Sequence, residues 1–319
     1  MLGRVSSGAR GAAVANALRL LEARFGDVES LRHVGDEITT REDGELRRED
    51  VERLLAHDTL AVHVKGFYPE KQALEVADMM LADEDVRNWS VASGGREAEP
   101  SDVDAVGTPH NVAVANDELE AYFGNSVEAM RKWRYHREDG VLAMGPMDKF
   151  RLELDEIWTE GCLLSREKGG DRQPFQAGVP RIMRPASRYD PARWTRGFAH
   201  VDELAIMSPD RGLFSANIYL RNAPSGGELQ IWPVTFASRW DFYRNAPTLS
   251  LALLQDAQAQ AALRERLPDP VTVKVRPGDL VLICTQRPHG VRGPVVGGPR
   301  VSIQGFLQYE RGQPLRLEA

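Results

Sequence analysis

The run LFSANIYLR at residues 213–221 is rich in aliphatic and aromatic residues, a composition that favours a β-strand. It belongs to a series of short β-rich runs that follow Gly169 and are separated by turns containing Pro and Gly. The other runs are 179–185 (VPRIMRP), 227–232 (GELQIW), 271–276 (VTVKVR), 279–284 (DLVLIC) and 300–309 (RVSIQGFLQY). Many short strands predict a sandwich or barrel, and we expect a β-sandwich of the jelly-roll type.

The first half of the chain has a mainly helical pattern. Residues 59–64 (TLAVHV) predict one strand, and Pro69 then suits the first turn of a helix near 70–83. Apolar residues recur at helical spacing in four further segments, 11–25, 46–57, 116–135 and 148–166. We therefore expect an α+β fold in which N-terminal helices flank one face of the jelly-roll core.

Two segments interrupt this pattern. Residues 90–115 are poor in large apolar side chains and rich in Gly, Ser, Pro and acidic residues. This composition predicts a long irregular segment, which would be either disordered or a lid. A helical insertion is expected near 247–265, between the β-rich runs.

The composition of the chain limits which partners it is expected to bind and which cellular compartment it suits. The chain has 319 residues and a net charge of −7, with no run of like charge, so nucleic acid is an unexpected partner. Its two cysteines, Cys162 and Cys284, lie far apart, which excludes a disulfide framework and a Cys-rich zinc site and favours a reducing cytoplasm. Arg19 and Glu22 break the apolar run near the N-terminus, so we expect no signal peptide or membrane span.

A possible metal site lies in the β-rich half. His200 and Asp202 stand two residues apart where a strand should end, so both side chains can face the same way. His289 lies in the turn that follows the run ending at Cys284 and could supply a third ligand. Two histidines and one carboxylate that leave coordination positions open are typical of non-haem Fe(II) sites.

The His-x-Asp pattern is weak when it is taken alone. His136-Arg-Glu138 offers a competing His-x-acid pair, although it is predicted at a charged helix end, where a solvated face is the better interpretation. His200 and His289 could each also be a hydrogen-bonded structural histidine.

A possible carboxylate clamp follows His289. Arg300 and Ser302 share one face of the last β-rich run, and an arginine fork beside a hydroxyl is suited to a carboxylate. Arg292 is nearer to His289 but sits in a Gly/Pro turn, so it is the second choice. Alternatively, Arg300 could be an arginine at the end of a strand that forms an ion pair with an acidic residue on the surface.

The order of these motifs resembles the iron(II) and 2-oxoglutarate-dependent oxygenases, and most of all their prolyl-hydroxylase-like branch. The motifs that carry the resemblance are His200-x-Asp202, 217–220 (NIYL), 226–232 (GGELQIW), 277–280 (PGDL), His289, Arg300-x-Ser302 and Gly305-Phe306. Residues 179–309 also resemble the carrier-independent halogenases of the welwitindolinone type. Those halogenases have glycine where Asp202 stands here, so the resemblance implies hydroxylation or another oxidative outcome rather than chlorination.

The resemblance also implies a domain organisation. It is strong over about 179–309, the expected jelly-roll core, and loose over 62–80. The first 58 residues match nothing. We therefore expect an N-terminal helical extension over 1–58 and an oxygenase domain over 59–319.

The resemblance implies roles for individual residues. Fe(II) would be held by His200, Asp202 and His289. The far carboxylate of 2-oxoglutarate would reach Arg300 and Ser302. Asn217 and Tyr219 lie on one strand face near the cosubstrate, and of the two we favour Asn217.

The implied activity is hydroxylation of an unactivated C–H bond of a small molecule, with O2 as co-substrate and release of succinate and CO2. An amino-acid derivative or a natural-product intermediate of secondary metabolism would suit such an enzyme. Desaturation, cyclisation or epimerisation would need the same cofactors. A different class is a non-oxidative metal- or ligand-binding β-sandwich, which would not need Arg300 with Ser302.

The substrate contacts are less determined by the sequence, and the oligomeric state stays open. A group of arginines before His200 could bind a carboxylate or phosphate of the substrate, although a solvated loop is the commoner explanation. These arginines are Arg181, Arg184, Arg188, Arg193 and Arg196. Trp232 and Trp240 could wall an apolar pocket or simply pack in the core.

Overall fold

A computed structural model describes most of the chain from residue 32 onward. The described ranges are 32–33, 35–89, 91–93, 96–99, 103–138, 141–169, 172–185, 198–203, 205–235 and 257–319, with four isolated positions at 16, 19, 20 and 23. Most of the helix predicted for 11–25, the start of the 247–265 insertion, Arg188, Arg193, Arg196 and Trp240 lie outside these residues. None of the described helices is long and apolar enough to cross a membrane.

Helices dominate the first half of the described chain and strands the second. The helices are α1 (Arg48–Leu55), α2 (Glu70–Leu81), α3 (His110–Asn116), α4 (Leu119–Lys132), α5 (Pro146–Ile157) and α6 (Ala257–Arg266). The strands before residue 170 are β1 (Arg32–His33), β2 (Ile38–Arg41), β3 (Ala61–Val64), β4 (Val86–Asn88), β5 (Val91–Ser93), β6 (Arg96–Glu99), β7 (Asp104–Val106), β8 (Tyr135–Glu138), β9 (Val141–Met144) and β10 (Cys162–Leu164). The later strands are β11 (Val179–Met183), β12 (Arg211–Arg221), β13 (Leu229–Ile231), β14 (Val234–Thr235), β15 (Val271–Val273), β16 (Leu280–Cys284), β17 (His289–Val291), β18 (Arg300–Glu310) and β19 (Leu315–Glu318).

Two sheets form the core. The main sheet has ten strands, eight of them in the order β2-β3-β16-β12-β18-β11-β7-β4, while β19 pairs with β18 and β10 with β19. The smaller sheet has the order β15-β13-β17. Each β-rich run in the sequence contains one of these strands, so the predicted α+β fold with a jelly-roll core is confirmed.

The main sheet presents two different faces because side chains alternate along each strand. On one face, Ala216, Ile218 and Leu282 pack against helices α1, α2 and α5 in the largest apolar cluster. On the other face, Val281 and Ile283 pack with residues of the smaller sheet. The inner space between the two sheets is therefore lined from both sides, and the candidate site residues lie there.

The N-terminal segment contributes to the same core. β2 pairs with β3 in parallel, and Val51, Leu54 and Leu55 of α1 are buried in the largest apolar cluster. The described part of 1–58 is thus a mixture of strands and a helix rather than purely helical. A domain boundary at residue 58 stays a prediction.

The prediction of an irregular segment over 90–115 is wrong. β5 and β6 form a hairpin, β7 pairs with β4 and β11 in the main sheet, and α3 begins at His110. These strands form by backbone pairing, and a polar strand that pairs in this way leaves no apolar pattern in the sequence. Most of the described residues of this segment therefore form strands or a helix, and a lid stays a prediction.

The helix boundaries differ from the predictions in two places. The helix expected over 116–135 is α4, which begins only at Leu119, because Asp117 adopts a left-handed conformation (φ 61°) that ends the preceding helix α3. The helix expected over 148–166 ends at Ile157, because Gly161 turns the chain at φ 79° and β10 then pairs with β19. His136 lies on β8 in a hairpin with β9, and not at a helix end.

A turn before β16 ties the first half of the chain to the core. The buried carboxylate of Asp279 accepts hydrogen bonds from the Gly66 N–H (2.9 Å) and the Arg276 N–H (2.8 Å) and lies 2.8 Å from His63 Nε2. Gly278, at φ 94°, must be glycine, since a Cβ there would lie 2.0 Å from the Tyr68 carbonyl oxygen. Tyr219 exchanges backbone hydrogen bonds with this turn, so the turn also fixes β12 beside the site.

We expect Asp279→Asn to destabilise the protein by about 1–3 kcal/mol at neutral pH, because an amide cannot accept all three hydrogen bonds. Burial raises the pKa of Asp279, but the hydrogen bonds from His63, Gly66 and Arg276 outweigh it and leave the pKa below the ordinary 3.8. A lowered pKa stabilises the fold above the ordinary value, and this contribution is lost as the pH falls through the folded-state pKa.

Urea unfolding of both proteins at neutral pH and at stepwise lower pH measures this effect. The variant should lose less stability than the wild type on acidification. Asp210→Asn, in an exposed ion pair with Arg311, is the control and should change little. Identical stability and identical acid profiles for wild type and Asp279→Asn would contradict this role of Asp279.

Candidate metal centre

The backbone brings His200 and His289 side by side. The two residues form an isolated antiparallel bridge, in which each N–H donates to the other's carbonyl oxygen at 2.9 Å. The Asp202 N–H donates to the Thr285 carbonyl oxygen at 3.0 Å. The segment 198–203 is therefore held against the start of β17, and residues far apart in sequence become neighbours.

The three side chains converge. One potential ligand atom from each of His200, Asp202 and His289 lies within 4.8 Å of the other two. His200 Nε2 is 3.6 Å from Asp202 Oδ1, and His289 Nε2 is 3.3 Å from Asp202 Oδ2. Among the described residues this is the one group of three or more such side chains with metal-binding spacing. The structure thus brings together the three residues that the sequence predicts as ligands.

Each histidine is oriented by a backbone carbonyl two residues earlier. His200 Nδ1 lies 3.0 Å from the Phe198 oxygen, and His289 Nδ1 lies 2.9 Å from the Arg287 oxygen. A carbonyl only accepts, so each Nδ1 carries a proton and each Nε2 is turned towards Asp202, the position from which it can bind a metal. Metal-binding histidines are commonly fixed in this way.

The electrostatics suit a cation. Burial, followed by the charge of His289, lowers the pKa of His200 to about 4. Burial raises the pKa of Asp202, but the hydrogen bond and charge of His289, with His200 and Arg181, lower it to about 2. At neutral pH His200 is neutral and Asp202 is ionised, which are the protonation states in which both bind metals.

Arg300 and Ser302 lie on the inner face of β18 with buried polar atoms. Arg300 is 4% exposed and Ser302 0%. Neither Arg300 Nε nor Ser302 Oγ has a hydrogen-bond partner, and Arg300 Nη1 reaches only Met183 Sδ at 3.5 Å. Within the described residues, Arg300 is therefore not paired with a surface acid, which was the alternative to a clamp.

Tyr219 is placed closer to Arg300 than the sequence suggested. It pairs with Ser302 in the sheet register, its ring centre lies 4.9 Å from Arg300 Cζ, and its buried hydroxyl is unpartnered. Asn217 lies two residues away, opposite Gln304, and donates to Ser215 Oγ at 3.3 Å. We favoured Asn217 because the resemblance implies a polar residue from this strand near the cosubstrate, but the register places Tyr219 beside Ser302 and Arg300.

The remaining candidates separate into surface, core and inner positions. Arg292 is 42% exposed and lies 3.8 Å from Glu228. Arg184 is 49% exposed and pairs with Asp104 at 3.1 Å, in agreement with the solvated-loop explanation.

Trp232 is 1% exposed and packs in a small apolar cluster with Ala199 and Val201, so it is a core residue. Arg181 lies on the inner face, beside a residue that the sequence did not indicate, Trp89.

Comparison with known proteins identifies the fold of the chain. No protein-family model and no curated sequence matches the chain. Two structures of an N-substituted L-amino acid dioxygenase from Burkholderia ambifaria AMMD match at 14% identity and a TM-score of 0.51, one of them in complex with alpha-ketoglutarate. Each match covers 85% of this chain and 91% of the other. A prolyl-4-hydroxylase from Pseudomonas putida matches at 15% identity, over 82% of this chain and 100% of the other, but its TM-score of 0.35 is too low to bear on the fold.

The chain therefore has the double-stranded β-helix fold of that dioxygenase. This is the fold implied by the sequence resemblance to the iron(II) and 2-oxoglutarate-dependent oxygenases. At such low identity the likeness concerns the fold, and the chemistry is argued from the side chains.

We expect His200→Ala and His289→Ala each to weaken Fe(II) binding by more than roughly 100-fold. Loss of a residue that only hydrogen-bonds to a metal ligand already costs roughly 10–100-fold, and these substitutions remove a ligand itself. Metal content after anaerobic reconstitution and dialysis measures this. Both variants should stay folded, because the bridge between the two residues is made by the backbone. His136→Ala removes the histidine of the competing motif and should retain metal. Normal metal content in either site variant would contradict the ligand assignment.

Proposed function

We propose that the protein is an iron(II) and 2-oxoglutarate-dependent oxygenase that hydroxylates an unactivated C–H bond of a small molecule. His200, Asp202 and His289 would hold the metal, and Arg300, Ser302 and Tyr219 would hold the far carboxylate of 2-oxoglutarate. The observation that carries the proposal is the presence of both groups in the space between the two sheets. A metal triad stands beside buried cationic and hydroxyl groups that lack partners.

The donor set fits the metal. Two imidazoles and one carboxylate that leave the remaining positions free are the ligands of non-haem Fe(II) oxygenases. Asp202 fills the position where the welwitindolinone-type halogenases have glycine, so oxygen insertion is favoured over halogenation.

The unpartnered atoms fit the cosubstrate. A buried polar atom without a partner costs about 1–3 kcal/mol, and Arg300 Nε, Ser302 Oγ and Tyr219 Oη are three such atoms in neighbouring positions. One carboxylate can accept a hydrogen bond from each of them, and an arginine fork binds it in a fixed orientation. Asn217 lies further along the same face and would play a lesser part.

Fe(II) with 2-oxoglutarate and O2, when bound, supplies the oxidation of a C–H bond and releases succinate and CO2. The protein orients the ligands through the Phe198 and Arg287 carbonyls, neutralises the cosubstrate through Arg300 and limits the access of water between the two sheets. These residues fix positions and charge, and they carry no redox chemistry of their own.

The substrate class and the outcome are parts of the proposal. An amino-acid derivative is supported by the dioxygenase of the same fold, whose substrate is an N-substituted L-amino acid. A natural-product intermediate is the other candidate, and desaturation, cyclisation and epimerisation are alternatives for the same cofactors. A cytoplasmic location and the absence of nucleic-acid and membrane partners stay predictions.

A non-oxidative metal-binding module is the alternative of another class. Such a module has no use for a buried arginine fork and hydroxyls beside the metal. The alternative is therefore tested by the effect of the clamp residues on 2-oxoglutarate binding.

We expect Arg300→Ala to weaken 2-oxoglutarate binding by roughly thirty- to several-thousand-fold, since an unpaired buried carboxylate costs about 2–5 kcal/mol. Ser302→Ala removes one hydrogen bond and should cost about 1 kcal/mol, or several-fold. Arg292→Ala is the matched control at an exposed arginine and should have little effect. Equilibrium binding of 2-oxoglutarate to the Fe(II) protein without O2, with metal content measured in parallel, gives the comparison.

Metal content should stay near normal in all three variants, because no ligand is changed. A reversed order, with Arg292→Ala harmful and Arg300→Ala neutral, would disprove the clamp. Indifference to all three substitutions would argue that the protein does not use 2-oxoglutarate.

A further inference from the structure

Arg181 lies in the space between the two sheets, next to the proposed clamp. It is in the middle of β11, directly opposite Ser302 of β18 in the sheet register. Directly opposed residues of antiparallel strands project to the same face, so the Arg181 side chain shares the inner face with Ser302 and Arg300. This arrangement separates Arg181 from Arg184, which is three residues further along and sits on the surface.

Arg181 contacts an aromatic ring and leaves its buried Nε–H group without a hydrogen-bond partner. Its guanidinium carbon lies 4.2 Å from the centre of the Trp89 ring, so the aromatic face braces the cation. Its Nε atom is buried and has no hydrogen-bond partner. Within the described part of the chain, Arg181 forms no ion pair, whereas Arg184 has Asp104.

Among the residues that the structure describes, Arg181 has no counter-charge of its own. Burial lowers its pKa to about 9, so it is still a cation at neutral pH, and the described charges that act on it are Asp202 and Arg300. The charge of Arg181 acts in turn on His200, Asp202 and His289. Arg181 is thus close to the metal centre, while Asp202 is already committed to the metal.

The net charge of the site with Fe(II) and 2-oxoglutarate bound indicates which charge the substrate should carry. The dication Fe(II) and the cation Arg300 are balanced by the single charge of Asp202 and the double charge of 2-oxoglutarate. The site is therefore neutral before Arg181 is included, and Arg181 adds one uncompensated positive charge. A monoanion would restore neutrality, which favours a carboxylate over a doubly charged phosphate.

We propose that Arg181, braced by Trp89, is a substrate-binding residue that holds a carboxylate of the substrate beside the metal. This inference rests on the proposed function and narrows it to substrates with a free carboxylate. The alternative is that Arg181 is a second contact for 2-oxoglutarate, and the experiment separates the two.

The experiment uses wild-type protein loaded with Fe(II) and 2-oxoglutarate in the absence of O2, with 2-oxoglutarate binding measured first. The probes are N-acetyl L-amino acids with aliphatic and aromatic side chains, each compared with its carboxamide. Calorimetry gives the affinity, and relaxation of the probe protons by the paramagnetic metal shows that they lie near it. The variants are Arg181→Gln, Arg181→Lys and, as the matched charge control, Arg184→Gln.

We expect at least one carboxylate probe to bind wild type about ten-fold or more tightly than its carboxamide. Arg181→Gln should abolish this preference, Arg181→Lys should restore part of it, and Arg184→Gln should leave it unchanged. The affinity for 2-oxoglutarate should change by no more than about three-fold in Arg181→Gln, since Arg300 is still present. Thermal unfolding of each variant shows whether it is folded. If Arg181→Gln is not folded, Trp89→Leu is the substitute test, and it should weaken the preference for the carboxylate over the carboxamide.

Four results would overturn the inference. Two concern wild type: equal binding of carboxylates and carboxamides, and binding of no carboxylate probe to the loaded protein. The other two concern Arg181→Gln: an unchanged preference for the carboxylate, and a loss of 2-oxoglutarate affinity as large as in Arg300→Ala. If wild type does not bind 2-oxoglutarate in the loading step, the proposed function itself fails. That outcome is recognised before any probe is added.

Discussion

His200 and His289 exchange both of their backbone hydrogen bonds, and the rest of the site depends on this bridge. It joins the segment 198–203 to the start of β17, so the two imidazoles lie 4.5 Å apart between ring centres. The carbonyls of Phe198 and Arg287 then fix the rings, and Asp202 enters from the same segment as His200. Because backbone atoms make the bridge, its geometry does not depend on a bound ion.

The space between the sheets combines apolar packing with polar groups that have no partner in the protein. Val281 and Ile283 pack against the smaller sheet, whereas Arg300, Ser302 and Tyr219 present unpartnered polar atoms on the same face of the main sheet. A folded chain tolerates such a cost where a ligand removes it. These unpartnered donors give a carboxylate cosubstrate a physical basis that does not depend on resemblance, and Arg181 extends the same basis to the substrate.

The sequence predicted the core well because the core strands are apolar and bounded by strong turn residues. β12, β16 and β18 follow LFSANIYLR, DLVLIC and RVSIQGFLQY closely. It also predicted the three side chains that converge, since a period of two places His200 and Asp202 on one side and the motif order suggested His289. The sequence did not predict the strands β4 to β7, because they form by backbone pairing and show little of the apolar pattern that marks a strand. The neighbours of Arg181 and Tyr219 depend on register between distant strands, which no local pattern encodes.

The central claim is that one site binds Fe(II) and 2-oxoglutarate together, and an anaerobic optical titration tests it most directly. When 2-oxoglutarate is added to the Fe(II) protein without O2, a weak visible charge-transfer band should develop and saturate at one equivalent of cosubstrate per metal. A protein that retains Fe(II) but shows neither this band nor any bound 2-oxoglutarate would contradict the account and favour a metal-binding module.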